Sequence, residues 1–88
     1  MFKVYVLYSK DFDKIYIGYT ANIEDRLLSH NKLAKKGWTI KFRPWIVAFF
    51  EEFETKKEAL NREKQLKSAK GREFVWNYID KNIKNNEI

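Results

Sequence analysis

The chain alternates between stretches rich in β-branched and aromatic residues and stretches with helical apolar spacing. Residues 2–9 and 14–20 are of the first kind, and the polar residues 10–13 between them form a connection of hairpin length. These stretches predict a pair of antiparallel strands. Gly18 lies within the second strand, where a glycine indicates the close approach of a neighbouring group.

The following stretches predict a helix, a third strand and a second helix. Asn22 is a suitable N-cap, and helical apolar spacing continues from it to about residue 30 or 33. The apolar run 45–53 predicts a strand that is buried on both faces. Thr55 and Glu58 form a capping box, which opens a helix that ends near residue 68.

A last helix and a polar tail complete the predicted fold. Gly71 is expected to break the helical pattern, and the last helix is predicted from residue 72 to about residue 81. Residues 82–88 are expected to fray. The order is ββαβαα, which predicts the α+β class, with a three-stranded, mainly antiparallel sheet flanked by helices.

Length and composition narrow the class of protein. A chain of 88 residues predicts a single domain over residues 1–88. There is no cysteine, which excludes a disulfide scaffold, a cysteine-ligated zinc site and a thiol nucleophile. No secretory signal or membrane-spanning run is visible, so we expect a cytoplasmic protein without a membrane partner. The net charge of +6 favours an anionic partner, most commonly nucleic acid.

Glu63 is the most informative polar residue because it interrupts an apolar stripe. It lies on a predicted helix, on the same side as Ala59, Leu60 and Leu66. A carboxylate that faces a sheet is costly unless it is paired or binds a metal ion. The alternative is an edge position, where Glu63 forms a solvated ion pair with Lys67 one turn later.

Two further pairs of polar residues fit either a chemical or a structural role. Arg26 and His30 are four residues apart on one helical face, where they would bind a phosphate and handle a proton, or simply lie at the surface. Tyr5 and Tyr16 lie on the two paired strands, where tyrosines usually pack with a solvated hydroxyl group. The residues alone leave both alternatives open.

Together these residues resemble the GIY-YIG nuclease family. Lys3-Val4-Tyr5 stands where the family has Gly-Ile-Tyr, and Tyr16-Ile17-Gly18 matches its second triplet. Residues 20–31 look like the family's arginine helix that ends in His-Asn, and residues 59–67 look like its glutamate helix. The resemblance covers nearly the whole chain, and it is closest to small stand-alone members related to the nuclease half of the excision-repair C subunit.

The resemblance implies a metal-dependent DNA endonuclease of DNA repair or processing. Tyr5 would be the general base that activates water, and Tyr16 would orient the water or the scissile phosphate. Arg26 would stabilise the phosphoryl oxygens, and His30 would bond a tyrosine hydroxyl group or relay its proton. Glu63 would hold one divalent metal ion, Mg²⁺ or Mn²⁺, which neutralises the leaving oxygen.

The chain departs from the family pattern at two places. Lys3 replaces the glycine of the first triplet, a position at which related small members also vary. Many members carry an asparagine late in the domain, near the scissile phosphate. Asn77 in the last predicted helix is the nearest match, and its spacing from Glu63 does not decide whether it has that role.

A basic stretch, residues 32–43, contains no acidic residue and interleaves charge with aromatic rings. This composition suits a nucleic-acid surface that tracks the backbone and stacks bases. The alternative is that Trp38 and Phe42 cover the core while the lysines remain solvated. The residues expected to contact nucleic acid, including one from the glutamate helix, are Lys35, Lys36, Trp38, Lys41, Arg43 and Lys67.

The sequence contains no element that would specify a base sequence. No recognition helix or zinc finger is visible, so cutting should be structure-selective or weakly sequence-specific unless a partner protein supplies targeting. The competing function is a nucleic-acid-binding module with this scaffold and little or no catalysis. A third alternative is a protein-interaction domain with an idle site.

Overall fold

The computed structural model describes residues 1–84, and the part of the predicted frayed tail from residue 85 onward lies outside the described residues. The order of elements is ββαβαα, which confirms the predicted α+β class. A π-helical turn continues the first helix, and a short 3₁₀ helix precedes the third strand. The elements are β1 (Phe2–Ser9), β2 (Lys14–Thr20), α1 (Ile23–Leu28), the π-helical turn (Ser29–Leu33), the 3₁₀ helix (Trp38–Phe42), β3 (Ile46–Phe53), α2 (Lys56–Lys67) and α3 (Ala69–Asn82).

The three strands form one antiparallel sheet in the order β2-β1-β3, so the first strand of the chain is the central one. The register places Tyr5 opposite Gly18 of β2 and opposite Phe50 of β3. Because β1 is paired on both sides, its residues from Val4 to Ser9 are all buried. The other two strands form the edges of the sheet.

Each α-helix begins at a polar side chain that caps its first turn. Asn22 Oδ1 accepts from the Asp25 amide at 3.1 Å, and Thr55 Oγ1 accepts from the Glu58 amide at 3.2 Å. Ser68 caps α3 in the same way. These bonds satisfy amide groups that have no partner within the helix. Among residues 1–84, no helix has the length and apolar character needed to cross a bilayer.

The sheet separates two apolar clusters, one on each face. The helical face lies beneath α2 and α3, and its cluster consists of Val4, Val6, Tyr8, Ile15, Ile17, Ala59, Leu66, Val75 and Ile79. The loop face lies beneath α1 and the segment that follows it, and its buried cluster consists of Tyr5, Leu7 and Trp45, with Tyr16, Ile23, Leu27, Phe42 and Val47 packed against it. Alternation along β1 and β2 therefore sends the tyrosines of interest to the loop face.

Two expectations for the second half of the chain are wrong. β3 is not buried on both faces, because it forms an edge of the sheet and Phe50 is 45% exposed. Gly71 does not break a helix, because α3 begins before it at the Ser68 cap and Gly71 lies in the first turn. A Cβ at Gly71 would collide with the carbonyl oxygen of Gln65, so the glycine permits the close junction of α2 and α3.

The end of α3 contacts the hairpin that joins β1 and β2. Lys84 Nζ lies 3.1 Å from Asp13 Oδ1 and 3.3 Å from Asp80 Oδ1. The hydroxyl group of Tyr8 also donates to Asp13, at 2.9 Å. The Lys84 contact lowers the pKa of Asp13 and in turn raises the pKa of Lys84. Lys84, the last residue that the structure describes, thus contacts the turn between β1 and β2.

Candidate active site

Strand pairing places two phenol rings close together on the loop face. The ring centroids of Tyr5 in β1 and Tyr16 in β2 are 6.2 Å apart. A Cβ at Gly18, opposite Tyr5, would lie 2.7 Å from the Tyr5 hydroxyl oxygen and 2.9 Å from the carbon that bears it. Non-bonded atoms do not pack that closely, so the missing side chain makes room for the hydroxyl group. The close approach expected at this glycine is confirmed.

The Tyr5 hydroxyl group belongs to a buried chain of polar contacts that runs through His30 to Thr39. Its oxygen lies 3.2 Å from Nε2 of His30, and Nδ1 of His30 lies 3.1 Å from Oγ1 of Thr39. All three residues are buried. Because each ring nitrogen has one polar partner, the imidazole is held in a single orientation. The ring of Tyr16 packs against it, with centroids 4.7 Å apart.

Burial and neighbouring charges shift the pKa values of these groups in opposite directions. Burial raises the pKa of Tyr5 above its ordinary value; Tyr16 and Glu63 raise it further, while Arg26 opposes them. Burial lowers the pKa of His30, and the positive charge of Arg26 adds to this effect. At neutral pH, therefore, the imidazole is uncharged, and the phenol keeps its proton unless a further cation or an acceptor draws it away.

A cleft of about 370 Å³ opens beside the two phenols. Four of the five residues predicted to be catalytic line the cleft. The fifth, His30, does not line it but contacts Tyr5, which does. Both strands of the hairpin and two helices contribute to the lining. The lining residues are Tyr5, Tyr16, Gly18, Tyr19, Thr20, Ala21, Arg26 and Glu63.

Glu63 reaches this cleft from α2, which packs on the helical face of the sheet. Its side chain is 17% exposed, and Oε2 lies 3.8 Å from Nζ of Lys67. The ion pair considered as an alternative for Glu63 therefore exists. At 3.8 Å the contact is too long for a hydrogen bond, so the carboxylate oxygens keep their capacity for another ligand. The ion pair is thus confirmed, and metal binding by Glu63 stays a prediction.

Arg26 brings a positive charge to the cleft. It projects from α1, is exposed, and forms no ion pair within residues 1–84. A guanidinium group presents a planar set of donors that matches the oxygens of a phosphate. The lining of the cleft thus includes one cation, one carboxylate and three tyrosines, two of which are Tyr5 and Tyr16.

The segment that carries His30 is fastened to the loop before β3. Nδ2 of Asn31 donates to the Trp45 carbonyl at 2.9 Å, and the Trp45 amide donates to Oδ1 of Asn31 at 2.6 Å. Arg43 donates to three carbonyl groups of the same segment, including that of His30. These carbonyls lie where the helix ends, and that of Ser29 also accepts from the Ala34 amide at 2.9 Å. The guanidinium of Arg43, predicted to contact nucleic acid, is therefore occupied within the protein.

The other predicted nucleic-acid contacts fall in two places. Trp38 and Lys67 line a second groove, which shares Tyr16 with the cleft. The remaining three are exposed side chains of the basic stretch: Lys35, Lys36 and Lys41. Trp38 is half-exposed, whereas Phe42 is partly buried against the loop-face cluster. Phe42 therefore covers the core, and base stacking by Trp38 stays a prediction.

Two residues differ from the sequence-based picture of the site. Thr39 contacts His30, yet the only signal in the sequence is a polar β-branched residue within a basic and aromatic stretch, a pattern too common to indicate a role. Asn77, the nearest match to the family's late asparagine, lies on α3 and lines a different cavity from Tyr5 and Glu63. The structure does not bring Asn77 to the cleft.

The donor set of the cleft suits a hydrated, oxygen-seeking cation. Among residues 1–84 no three His, Cys, Asp or Glu side chains converge, and the carboxylate that lines the cleft is Glu63. Mg²⁺ binds through one or two carboxylates together with water and substrate phosphate, whereas Zn²⁺ takes three or four protein ligands. The residues present therefore fit Mg²⁺ or Mn²⁺ shared with a substrate and do not fit a cage made by the protein alone.

Comparison with known proteins agrees with this geometry. A family model described as the GIY-YIG catalytic domain matches residues 1–85. A UPF0213 protein of Staphylococcus haemolyticus is 37% identical over 65 residues, which cover 74% of this chain and 78% of the relative. A UPF0213 protein of Clostridium perfringens is 35% identical over 81 residues, which cover 92% of this chain and 86% of the relative. No solved structure gives a significant match. Because the family model spans almost the entire chain, this protein belongs to the GIY-YIG family.

Proposed function

We propose that this protein is a DNA endonuclease that hydrolyses phosphodiester bonds with one divalent metal ion. The family is one of nucleases, and its members generally depend on a divalent metal ion. The observation that carries the proposal is the shared cleft, where Tyr5, Tyr16, Arg26 and Glu63 converge from both faces of the sheet. Hydrolysis of a phosphodiester needs an activated water, stabilisation of charge and a helped leaving group, and these residues supply groups for each task.

Tyr5 accepts the proton of the attacking water as the water oxygen forms its bond to phosphorus. With Nδ1 of His30 protonated and donating to Thr39, Nε2 is free to accept the proton that Tyr5 gives up. The two transfers occur together, so the raised pKa of Tyr5 and the lowered pKa of His30 do not require a free phenolate to accumulate. The ester bond to the leaving oxygen breaks, and that oxygen takes a proton from solvent.

Arg26 and Tyr16 hold the phosphate during this reaction. The unpaired guanidinium of Arg26 donates to the non-bridging oxygens, where negative charge grows as water attacks. The hydroxyl group of Tyr16 orients the attacking water or the scissile phosphate from the neighbouring strand. Glu63 would hold Mg²⁺ or Mn²⁺, whose charge when bound would neutralise the leaving oxygen. The preference for one of these two ions is not fixed by a single carboxylate ligand.

The substrate is proposed to be selected by structure more than by base sequence. The described chain is filled by the ββαβαα core, and its exposed cations are spread over several elements, including loops, α2 and α3, with no helix free to enter a groove of duplex DNA. A role in DNA repair or processing follows from the same argument, since structure-selective cutting serves those processes. A partner protein would be the source of any further targeting.

The competing proposal is a nucleic-acid-binding module with little catalysis. One observation favours it: burial holds the pKa of Tyr5 above its ordinary value, which disfavours a base at this position without a bound cation. Under this alternative, Arg26 and the basic side chains would bind phosphate without turnover. The two proposals make opposite predictions for cutting in the presence of metal.

A nicking assay on supercoiled plasmid separates the two functions. Wild type should nick with Mg²⁺ or Mn²⁺ and stop when EDTA is added, while Glu63→Gln and Tyr5→Phe should lose about a thousandfold in rate. Matched controls are Glu73→Gln, an exposed carboxylate on α3, and Tyr8→Phe, which alters the same strand on the helical face. Both controls should cut as wild type does.

The outcome of this assay decides between the endonuclease and the nucleic-acid-binding module. Equal residual cutting by wild type, Glu63→Gln and Tyr5→Phe would mean that a contaminating nuclease is responsible. Binding of DNA by the wild type without metal-dependent cutting would leave the binding module as the function. Loss of cutting in the Glu73→Gln control would show that the assay reports stability and not the cleft.

A further inference from the structure

A second groove, of about 390 Å³, runs beside the cleft on the far side of Tyr16. We call it the tryptophan groove. It is lined by Ile15, Tyr16, Ile17, Trp38, Lys67 and Arg72. Tyr16 lines both the cleft and this groove, so a polymer bound at the cleft continues directly into it. The groove combines one half-exposed indole with two cations, and the roles proposed above for the catalytic residues use none of them.

Trp38 is held firmly although it is 48% exposed. Its ring lies 4.7 Å from that of Phe42 and 5.8 Å from that of Trp45, measured between centroids. Trp45 is itself buried, and its Nε1 donates to the Thr39 carbonyl at 2.8 Å. An indole supported from behind by two rings and open to solvent is preorganised for stacking, because little side-chain entropy remains to be lost on binding.

The two cations of the groove are available for phosphate. Arg72 donates from Nε to the Lys67 carbonyl at 3.2 Å, which fixes its position and leaves its terminal nitrogens free. It forms no ion pair with any residue between 1 and 84. Lys67 is 48% exposed, and its contact with Glu63, at 3.8 Å, is loose. Both positive charges therefore line the same groove as the indole.

The opposite flank of the cleft has a different character. There a groove of about 420 Å³ continues from Thr20, Ala21 and Arg26 to Asn22, Asp25 and Ser29. It contains a carboxylate and no aromatic side chain, and Arg26 belongs to the cleft as well. A nucleotide on this flank would find neither a stacking surface nor a second cation. The two flanks of the scissile phosphate are therefore unequal.

We propose that the tryptophan groove binds one unpaired nucleotide next to the scissile phosphate, with its base stacked on Trp38 and its phosphate between Lys67 and Arg72. This inference rests on the proposed nuclease function and specifies its substrate as DNA that is single-stranded on one side of the cut. A base in a duplex is stacked on both faces and cannot meet Trp38 without leaving its partner. Stacking of single-stranded bases on aromatic side chains beside a cationic groove is the usual basis of sequence-tolerant recognition.

The test measures binding without cutting, by fluorescence anisotropy of a short labelled oligodeoxynucleotide in EDTA. We expect the wild type to bind the single strand more tightly than the blunt duplex of the same sequence. Trp38→Ala should weaken binding of the single strand about tenfold and leave binding of the duplex nearly unchanged. Lys67→Ala and Arg72→Gln should each weaken binding and lower the salt dependence by about 0.7 in the logarithmic slope.

Matched probes identify the base and the cations individually. Lys64→Ala removes an exposed lysine from the same helix outside the groove, and it should bind as wild type does. An abasic oligodeoxynucleotide should bind wild type and Trp38→Ala with equal affinity, because the base that Trp38 contacts is absent. Circular dichroism and the melting temperature show whether each variant is folded, and the two cation variants still test the groove if Trp38→Ala is not.

Several results would overturn the inference. Equal losses for Lys64→Ala and Lys67→Ala, or for duplex and single strand with Trp38→Ala, would mean that binding depends on overall charge. Competition by polyglutamate as strong as that by the oligodeoxynucleotide would indicate an acidic-peptide site, and failure of the wild type to bind any oligodeoxynucleotide would remove the groove as a nucleic-acid site. If plasmid is cut while the groove variants bind normally, the nuclease proposal stands and the nucleotide site does not.

Discussion

The two faces of the sheet are stabilised in different ways. The helical face buries aliphatic side chains beneath α2 and α3, and its specificity comes from shape. The loop face buries Tyr5, His30 and Thr39, each with a polar partner, next to Trp45. Buried polar groups are costly when they lose a partner, so this face is fixed by contacts that an apolar core does not need. The helical face stabilises the fold through apolar burial, and the loop face fixes the orientation of the side chains that we propose to be catalytic.

This difference predicts that substitutions on the two faces separate stability from activity. A change on the helical face should lower the free energy of unfolding and leave the folded fraction competent to cut. A change on the loop face should reduce cutting more than it reduces stability. Glu63 is the exception, because it belongs to a helix of the first face and lines the cleft together with Tyr5 of the second.

The largest effect on stability is expected from Leu66→Ala on the helical face. Leu66 is almost completely buried, and the cavity left behind should cost about 2–5 kcal/mol of unfolding free energy. Denaturant unfolding measures this cost, and Leu60→Ala on the exposed side of the same helix is the control. Cutting per folded molecule should change little. A loss of cutting in fully folded Leu66→Ala would mean that the two faces are not separable.

Gly18→Ala should affect both stability and cutting. The new Cβ would lie 2.7 Å from the Tyr5 hydroxyl oxygen, and relief of this contact should cost about 1–3 kcal/mol and displace the hydroxyl group. Cutting should fall about a hundredfold, as for a catalytic group misplaced by about 1 Å. In a Tyr5→Phe background the same substitution should cost less stability, because the oxygen is gone. Equal costs in both backgrounds would contradict the role assigned to this glycine.

Thr39→Val tests whether the orientation of His30 matters. Valine has nearly the same shape but cannot bond Nδ1 of His30, so a buried nitrogen loses its partner at a cost of about 1–2 kcal/mol. Cutting should fall about tenfold, because Nε2 is then less often free to accept a proton. Thr39→Ser should restore both properties. If Thr39→Val cuts as fast as wild type, the contact is structural only.

Protonation of His30 should give the smallest effect. The pKa of His30 is lower in the folded protein than its ordinary value of 6.5, so the unfolded chain binds more protons in the interval between them. Stability should therefore fall as the pH drops below about 6.5. The positive charges of Arg26 and Arg43 face this imidazole. The free energy of unfolding, measured with denaturant between neutral pH and about pH 5, should fall less steeply with decreasing pH in His30→Gln than in wild type.

Local patterns in the sequence predict most of the fold. Strand alternation, the capping residues Asn22 and Thr55 and the apolar helical spacing were sufficient for the order ββαβαα. They were not sufficient for the exposure of β3, because an apolar run does not say whether a strand is central or at an edge. Gly71 was misjudged for a similar reason. Its role depends on how closely α2 approaches α3, which is a tertiary property.

The site was less accessible to local patterns. Tyr5, Tyr16, Arg26, His30 and Glu63 were chosen through a family resemblance, and the structure places them around one cleft. Their proposed roles remain predictions that the variants above test. Local patterns do not indicate Thr39 or Arg72, because the contact of Thr39 depends on the path of a loop over the sheet and that of Arg72 on the junction of α2 and α3. Arg43 was expected at a nucleic-acid surface, and its pairing with backbone carbonyls could not be read from charge alone.

Because β1 lies at the centre of the sheet, it is paired on both sides only after a later part of the chain has been synthesised. During synthesis the β1–β2 hairpin leaves the ribosome before β3, so the far side of β1 stays unpaired until β3 has emerged. Pairing between such distant segments slows folding. Glu63, which follows β3 in the chain, is synthesised later than Tyr5. A nascent or truncated chain that ends before α2 therefore has Tyr5 and Tyr16 but lacks Glu63, and under the proposed function it would bind DNA without cutting it.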